Sequence, residues 1–301
     1  MSQLQELQEK LGASGLVKAG TGNGSLSKLT INTNLAAAEI YLHGAHITHF
    51  HPRGAAPVLF MSKASNFQAG KAIRGGVPVI FPWFGARAGH PQDPPHGFAR
   101  LREWQLESCE LSADGSIRIF LRMSDDNETR QQWPFAFGLR LIVIVSEALD
   151  LTLEVRNGSL ETIQFEEALH TYLNVGDARR ITVEGLDGIV YIDKADGGVR
   201  KTQAGGGVTP VGETDRLYLH TRGATVLRDP VLGRSITVDK EGSAATVLWN
   251  PWIAKARALP DFGEDEWPQM MCVETANAAD CAVRLAPGCT HRMRARISIS
   301  S

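Results

Sequence analysis

"LRLIVIVSEALDLTLEVRN", residues 139–157, decides the fold class. Apolar residues occupy alternate positions through Leu139, Leu141, Val143 and Val145, and again through Leu149, Leu151, Leu153 and Val155. A period of two marks a strand with one buried face, whereas a helix would bring them back every three or four positions. The run predicts two strands joined by a turn at Glu147–Asp150.

The pattern spreads outward from there. It recurs in "SIRIFLRM" (116–123), "RRITVEGL" (179–186), "GATVLRDP" (223–230), "RSITVDKEG" (234–242), "ATVLWNP" (245–251) and "RMRARISIS" (292–300). Many such segments separated by Gly, Asn and Asp turns predict an all-β, antiparallel sandwich or barrel. No glycine-rich turn leads from a strand into a helix, which excludes the dinucleotide and P-loop classes. The glycine-rich stretch 196–207 is too short for a convincing domain linker and is expected to be a flexible loop. Strands continue on both sides of it, so a single domain over residues 1–301 is expected. Residues 1–15, "MSQLQELQEKLGASG", carry an apolar residue every three or four positions and predict a short N-terminal helix or extension.

The chain has 301 residues, long enough to bury a large core without disulfides or metals. A net charge of −2 gives no global attraction to nucleic acid or to an acidic membrane, so any bound anion needs a local cluster of cations. The first fifteen residues lack the apolar core expected of a signal peptide, and no run approaches the roughly 20 apolar residues of a membrane span. The four cysteines, Cys109, Cys272, Cys281 and Cys289, have no C-x2-C spacing. They are expected to be mostly buried thiols in a reducing compartment, which places the protein in the cytoplasm.

"HGAHITHFH", residues 43–51, tempts a metal reading. On one strand His43, His49 and His51 would share a face and His46 would point away. Metal sites draw ligands from several segments, so no metal is expected there.

"IRGGVPVIFPWFG", residues 73–85, puts one guanidinium, Arg74, into an apolar run. Pro78 and Pro82 argue against a helix and against a central strand, leaving an ordered loop. Arg74 must meet a negative charge, either a ligand's or a structural carboxylate's. His96 and Arg100 stand in "PPHGFARLREW" (94–104), a loop of the kind that carries function. His170 sits in "LHTYLNV" with strand-like alternation, where a satisfied core histidine is the bland alternative. Glu274 interrupts the apolar "MMCVETANA" (270–278), and a buried carboxylate is costly unless paired or used. Asp215 and Arg216, in "GETDRLYL", could form no more than a turn.

Taken together and in order, "RGGVPVIFPWFG", "HGFAR", "LHTYLNVGD", "ETDRLY", "LWNPW" and "CVETAN" resemble the aldose 1-epimerase (mutarotase) superfamily. More closely they resemble its hexose-6-phosphate branch, from about residue 28 to the C-terminus. The resemblance implies a large antiparallel β-supersandwich, galactose mutarotase-like, with the sugar in a cleft on one face. It implies interconversion of α and β anomers by ring opening and closure, with Glu274 as base, His170 as acid, and no cofactor. It implies that Asp215 accepts hydrogen bonds from sugar hydroxyls and helps orient the histidine. Arg74 and Arg100, with His96, would hold the phosphate of a small-molecule sugar phosphate. Phe81, Trp83 and Phe84 would wall the site, and the glycines would let the backbone approach the ligand. A monomer binding neither nucleic acid nor membrane is the matching expectation. Pro95 departs from the family, because it replaces a side chain that can contact substrate.

Overall fold

The structure is a computed structural model and describes residues 3–11 and 15–300. The expected N-terminal helix is seen as Gln3–Leu11, while residues 1, 2 and 12–14 of that segment lie outside the described residues. Leu7 and Leu11, one turn apart, are buried, and the helix lies beside the strands Val17–Thr21 and Gln105–Leu111.

The deciding hairpin is Phe137–Val145 followed by Leu149–Asn157. Its odd-numbered apolar residues are buried, and Leu141 lies opposite Leu153. The turn is tighter than expected. Ser146 donates its backbone N–H to the Ala148 carbonyl at 3.0 Å, so Leu149 already pairs with Val145 and Asp150 belongs to the strand. A one-residue slip would turn the whole apolar row outward, which pins the register.

That hairpin belongs to one of two eight-stranded antiparallel sheets. Its order runs from Thr182–Glu184 through Thr225–Asp229, Arg234–Glu241, Thr290–Ser300 and the hairpin to Ile117–Ser124 and Gln105–Leu111. The second sheet is centred on Met270–Asn277, flanked by Ala245–Asn250 on one side and by the short strands Glu167–Leu169 and Tyr172–Asn174 on the other. A four-stranded and a two-stranded sheet complete the β-supersandwich.

Every residue of Met270–Asn277 is buried, because the strand is covered on both faces. Met271 and Val273 join the main core, which includes Leu141, Leu151 and Ile297 of the first sheet. Alternation puts Met270, Cys272, Glu274 and Ala276 on the opposite face. Glu274 thus faces away from the core because of its register, in a strand whose apolar run gave no clue to which face it would take.

Two loop expectations change. The stretch 196–207 contains an edge strand, Val199–Thr202, paired with Val190–Asp193. Within 73–85, Val79–Ile80 forms a two-residue edge strand beside Glu167–Leu169, and the rest is loop. Gly75 and Gly76 serve packing rather than ligand approach. A Cβ on Gly75 would lie 2.5 Å from the Phe60 carbonyl oxygen, and one on Gly76 would lie 2.1 Å from that of Ile47.

Candidate active site

All six residues singled out in the sequence, Arg74, His96, Arg100, His170, Asp215 and Glu274, line one cleft of about 360 Å³. They come from five separate segments of the chain. A hollow of about 480 Å³ beside the N-terminal helix is larger, but its lining holds no acid–base pair.

His170 stands where strand pairing breaks. The alternation expected through "LHTYLNV" is interrupted at His170–Thr171, leaving Glu167–Leu169 and Tyr172–Asn174 as separate strands on Met270–Asn277. The His170 backbone N–H donates to the Pro78 carbonyl at 3.0 Å, and its ring stacks on Tyr172 with centroids 4.8 Å apart. His170 Nε2 lies 3.3 Å from Glu274 Oε1. The contact lacks hydrogen-bond alignment, so both Glu274 oxygens and His170 Nδ1 are buried without a hydrogen-bond partner.

Burial pushes the Glu274 carboxyl well above its usual range, and the neighbouring Asp215 adds to this against Lys194 and Arg100. Burial holds His170 well below its usual value, helped by the positive charges of Arg100 and Arg74. Both directions favour the uncharged partners. Burial raises Asp215 as well, opposed by Lys194 and by Lys255, whose Nζ lies 3.7 Å away. Asp215 and Arg216 form part of the strand Thr214–Leu219, not a turn. Asp215 contacts Lys255 and not His170, whose ring stacks on Tyr172 while its backbone N–H is held by Pro78.

The two arginines differ. Arg74 donates to Tyr172 Oη and to Asp261 Oδ1, both at 3.1 Å. The alternative of a structural carboxylate is therefore realised. Burial alone would lower the Arg74 pKa, but Tyr172 and Asp261 more than offset it and the net shift is upward. Arg100 pairs with no carboxylate among the described residues. It donates to the Pro95 carbonyl at 2.8 Å, its Nε is buried without a partner, and burial with Arg74's charge brings its pKa down to about 10. Pro95 thus contributes its carbonyl to the cleft in place of a polar side chain.

His96 adopts a positive φ of 64°. Its Nδ1 accepts the Gly85 N–H at 3.2 Å, which fixes the tautomer with the proton on Nε2. Burial holds its pKa well below the usual value. The expected aromatic wall is only partly realised. Phe84 lines the cleft, edge-on to His96, but Phe81 is packed among Phe98, Trp133, Phe137 and Phe165 in the core. Trp83 is buried and donates its indole N–H to the Pro94 carbonyl.

Sequence reasoning missed Tyr172, Lys194, Trp249, Lys255 and Asp261. Trp249 lies inside "LWNPW" and could have been named from it. Lys194 and Asp261 sit in polar turns with no spacing to mark them.

The histidines of 43–51 each go their own way. The ring N–H groups of His43, His46 and His51 lie 2.7, 2.8 and 2.6 Å from the carbonyl oxygens of Lys71, Gly75 and Ala55. Burial brings His46 down to about 3. Among the described residues, the one His/Cys/Asp/Glu group with metal-ligand proximity is His170, Cys272 and Glu274. All four cysteines are free, but only Cys272 and Cys281 are buried. Burial also raises the Cys272 thiol well above its usual value. No helix among the described residues is long and apolar enough to cross a membrane.

The aldose 1-epimerase family profile matches residues 27–298. The chain belongs to that family. A candidate glucose-6-phosphate 1-epimerase from Escherichia coli K12 is 36% identical over 255 residues, covering 85% of this chain and 84% of that protein. One from the grass Cenchrus ciliaris is 34% identical over 295 residues, covering 95% and 87%. The crystal structure of a candidate mutarotase from Salmonella typhimurium superposes with a TM-score of 0.90 at 28% identity, over 96% of this chain and 95% of that one. A galactose mutarotase-like protein from Clostridium acetobutylicum shares the fold at 14% identity, with a TM-score of 0.74 and coverage of 95% and 98%.

Proposed function

We propose that this aldose 1-epimerase family member interconverts the α and β anomers of a hexose 6-phosphate, glucose 6-phosphate first among them. The observation that carries the proposal is the acid–base pair His170–Glu274 at 3.3 Å, without hydrogen-bond alignment, in the same cleft as a guanidinium, Arg100, that pairs with no carboxylate among the described residues. A phosphate monoester brings about −1.5 to −2 charges at pH 7. Arg100 and Arg74 offer it planar paired donors, with His96 Nε2–H beside them.

The Glu274 carboxylate takes the proton from the anomeric O1 hydroxyl. The His170 imidazolium gives its proton to the ring oxygen O5, and the C1–O5 bond breaks to leave an aldehyde. Rotation about C1–C2 presents the other face, and the transfers reverse on closure. The starting state is imidazolium with carboxylate, and the open-chain state is neutral imidazole with carboxylic acid. They differ by the position of one proton within the pair. Burial favours the neutral pair, so the open-chain complex is the state the cleft stabilises. The two guanidinium charges oppose protonation of His170. A phosphate dianion seated on them offsets that opposition and favours the proton-donating form, so the phosphate acts on the chemistry as well as on binding. Asp215 accepts hydrogen bonds from sugar hydroxyls, and Trp249 offers an apolar face to the sugar C–H surface.

One observation favours a neutral sugar instead: Asp261 already answers Arg74. Exchange spectroscopy by NMR on the anomers of glucose 6-phosphate and of glucose, with and without protein, decides between them. Faster exchange of the phosphate is expected. Equal acceleration of both sugars would make this a free-sugar epimerase, and binding without exchange would make it a carbohydrate-binding protein on the same fold.

A further inference from the structure

We infer that Cys272, beneath the cleft, forms with Glu274 and His170 a site for a thiophilic divalent cation of the zinc class, and that such an ion blocks the acid–base pair. Cys272 and Glu274 are two apart on the strand Met270–Asn277, so both project to its cleft side. His170 reaches them from the break between the neighbouring strands. One ligand atom from each lies within 4.8 Å of the others. Tetrahedral zinc has bonds of about 2.0–2.3 Å, which puts ligand atoms about 3.3–3.6 Å apart, so closure takes side-chain movements of about 1 Å. Both Glu274 oxygens are buried and unpartnered, and His170 approaches them with Nε2 at 3.3 Å without hydrogen-bond alignment. The cleft gives access from solvent, since His170 and Glu274 line it.

The donor set selects the ion. One sulfur, one imidazole nitrogen and one carboxylate oxygen suit zinc or cadmium, whereas magnesium and calcium require oxygen shells. Charge is balanced, because a thiolate and a carboxylate with a neutral imidazole cancel a divalent ion. Binding breaks the Cys272 S–H bond and displaces the one proton held by the His170–Glu274 pair, forms sulfur–, oxygen– and nitrogen–metal bonds, and releases both protons to solvent through the cleft. The fourth position faces the cleft and takes a water. Arg100 and Lys194 repel an entering cation, and the negative charge left on Cys272 and Glu274 as their protons depart offsets that repulsion. The bound ion occupies the lone pairs that would accept the O1 proton and the nitrogen that would deliver one to O5. It is therefore an inhibitor, and the metal-free protein is the active form. The inhibition rests on the acid–base assignment above, but the site itself does not.

Two arms test this separately. Cadmium titration, followed by the ultraviolet thiolate-to-metal charge-transfer band, needs no activity. One equivalent should give the band in the wild-type protein and in Cys289→Ser, and none in Cys272→Ser. A missing band in the wild type, or a full band in Cys272→Ser, overturns the site. In the second arm, buffered free zinc should slow glucose 6-phosphate anomer exchange, and EDTA should restore it. EDTA alone should leave the metal-free rate unchanged. Cys272→Ser should keep the metal-free rate while raising the inhibitory zinc concentration at least about tenfold, since loss of an outer-shell partner alone costs about 10–100-fold in affinity. Equal zinc inhibition of Cys272→Ser and wild type would overturn the inhibitory assignment. If neither protein catalyses exchange, the functional proposal fails while the cadmium arm still decides the site.

Discussion

Two histidine–glutamate contacts take their buried carboxylates from adjacent strands, Glu167–Leu169 and Met270–Asn277, and they differ in almost everything except composition. Glu167 and Glu274 are 0% and 1% exposed, so burial does not tell them apart. Glu167 Oε1 accepts from His291 Nε2 and from Asn277 Nδ2, both at 2.8 Å. Burial alone would lower the His291 pKa, but the hydrogen bond and charge of Glu167 raise it overall. Glu274 has only the unaligned approach of His170, and that histidine is lowered. Asn277 and Glu274 are three apart on one strand, and Glu167 and His170 are also three apart, with His170 just past the end of Glu167–Leu169. Odd spacing sends one pair towards the first sheet's Thr290–Ser300 strand and the other into the cleft. Glu167 Oε2 is buried without a partner too, but Oε1 holds two, whereas neither oxygen of Glu274 holds any, and that marks the working pair.

Breaking each pair in turn should give opposite phenotypes, and these are the largest effects expected. Glu274→Gln keeps the shape but removes the proton acceptor, so anomer exchange should fall about 10²–10⁴-fold, the usual weight of a general acid or base. Thermal stability should hold or rise, because an unpartnered buried carboxylate is removed. Glu167→Gln should instead destabilise the fold by about 3–5 kcal/mol, the cost of breaking a buried pair, with exchange per folded molecule retained. A loss below about threefold in Glu274→Gln would remove it from the base role.

The two arginines should separate next, by their different partners. Arg100→Ala should weaken glucose 6-phosphate relative to glucose by roughly 10–150-fold, equivalent to a charged hydrogen bond of about 1.5–3 kcal/mol. Arg74→Ala should discriminate less, because Asp261 already neutralises part of its charge, and Arg74→Lys should recover only part of the loss. The measurement is the ratio of kcat/KM for the two sugars. If Arg100→Ala lowered both equally, Arg100 would be supporting the loop and not reading the phosphate.

Much of this was legible in the chain, and the misses share a cause. Alternation located the strands, and the apolar surroundings of Arg74 and Glu274 advertised charges that needed explaining. The alternation could not reveal that His170 breaks the strand, since "LHTYLNV" reads continuously and the break comes from the Pro78 carbonyl capturing its N–H. Asp261 and Lys194 were invisible because tertiary folding alone brings their turns to the cleft. Phe81 misled because an aromatic in a loop looks the same whether it faces a ligand or four other rings. The histidines of 43–51 lost their apparent common face at Gly44 and Ala45, whose positive φ values turn His43 off the strand.

The smallest expected effect is a pH signature of opposite sign in the two histidines. His291 has a raised folded pKa. Its contribution to stability is fully present below the unfolded value near ~6.5 and is lost as pH rises through the raised folded value. His170 has a lowered folded pKa. The unfolded chain takes up its proton first, so stability is lost as pH falls below ~6.5 towards the folded value. Relative to wild type, His291→Asn should therefore cost most in acid, with the gap narrowing as pH rises above neutrality. His170→Asn should be relatively more stable in acid, with the gap closing at and above ~6.5. Subtracting the wild-type curve cancels the carboxylates common to all three proteins. Each shift should amount to about 2–4 °C in Tm per kcal/mol or somewhat less, given the length of the chain. Melting curves across this range are the check. Parallel offsets at every pH would mean that both histidines act by packing alone, and the contrast between a charged structural pair and a neutral working pair would fail.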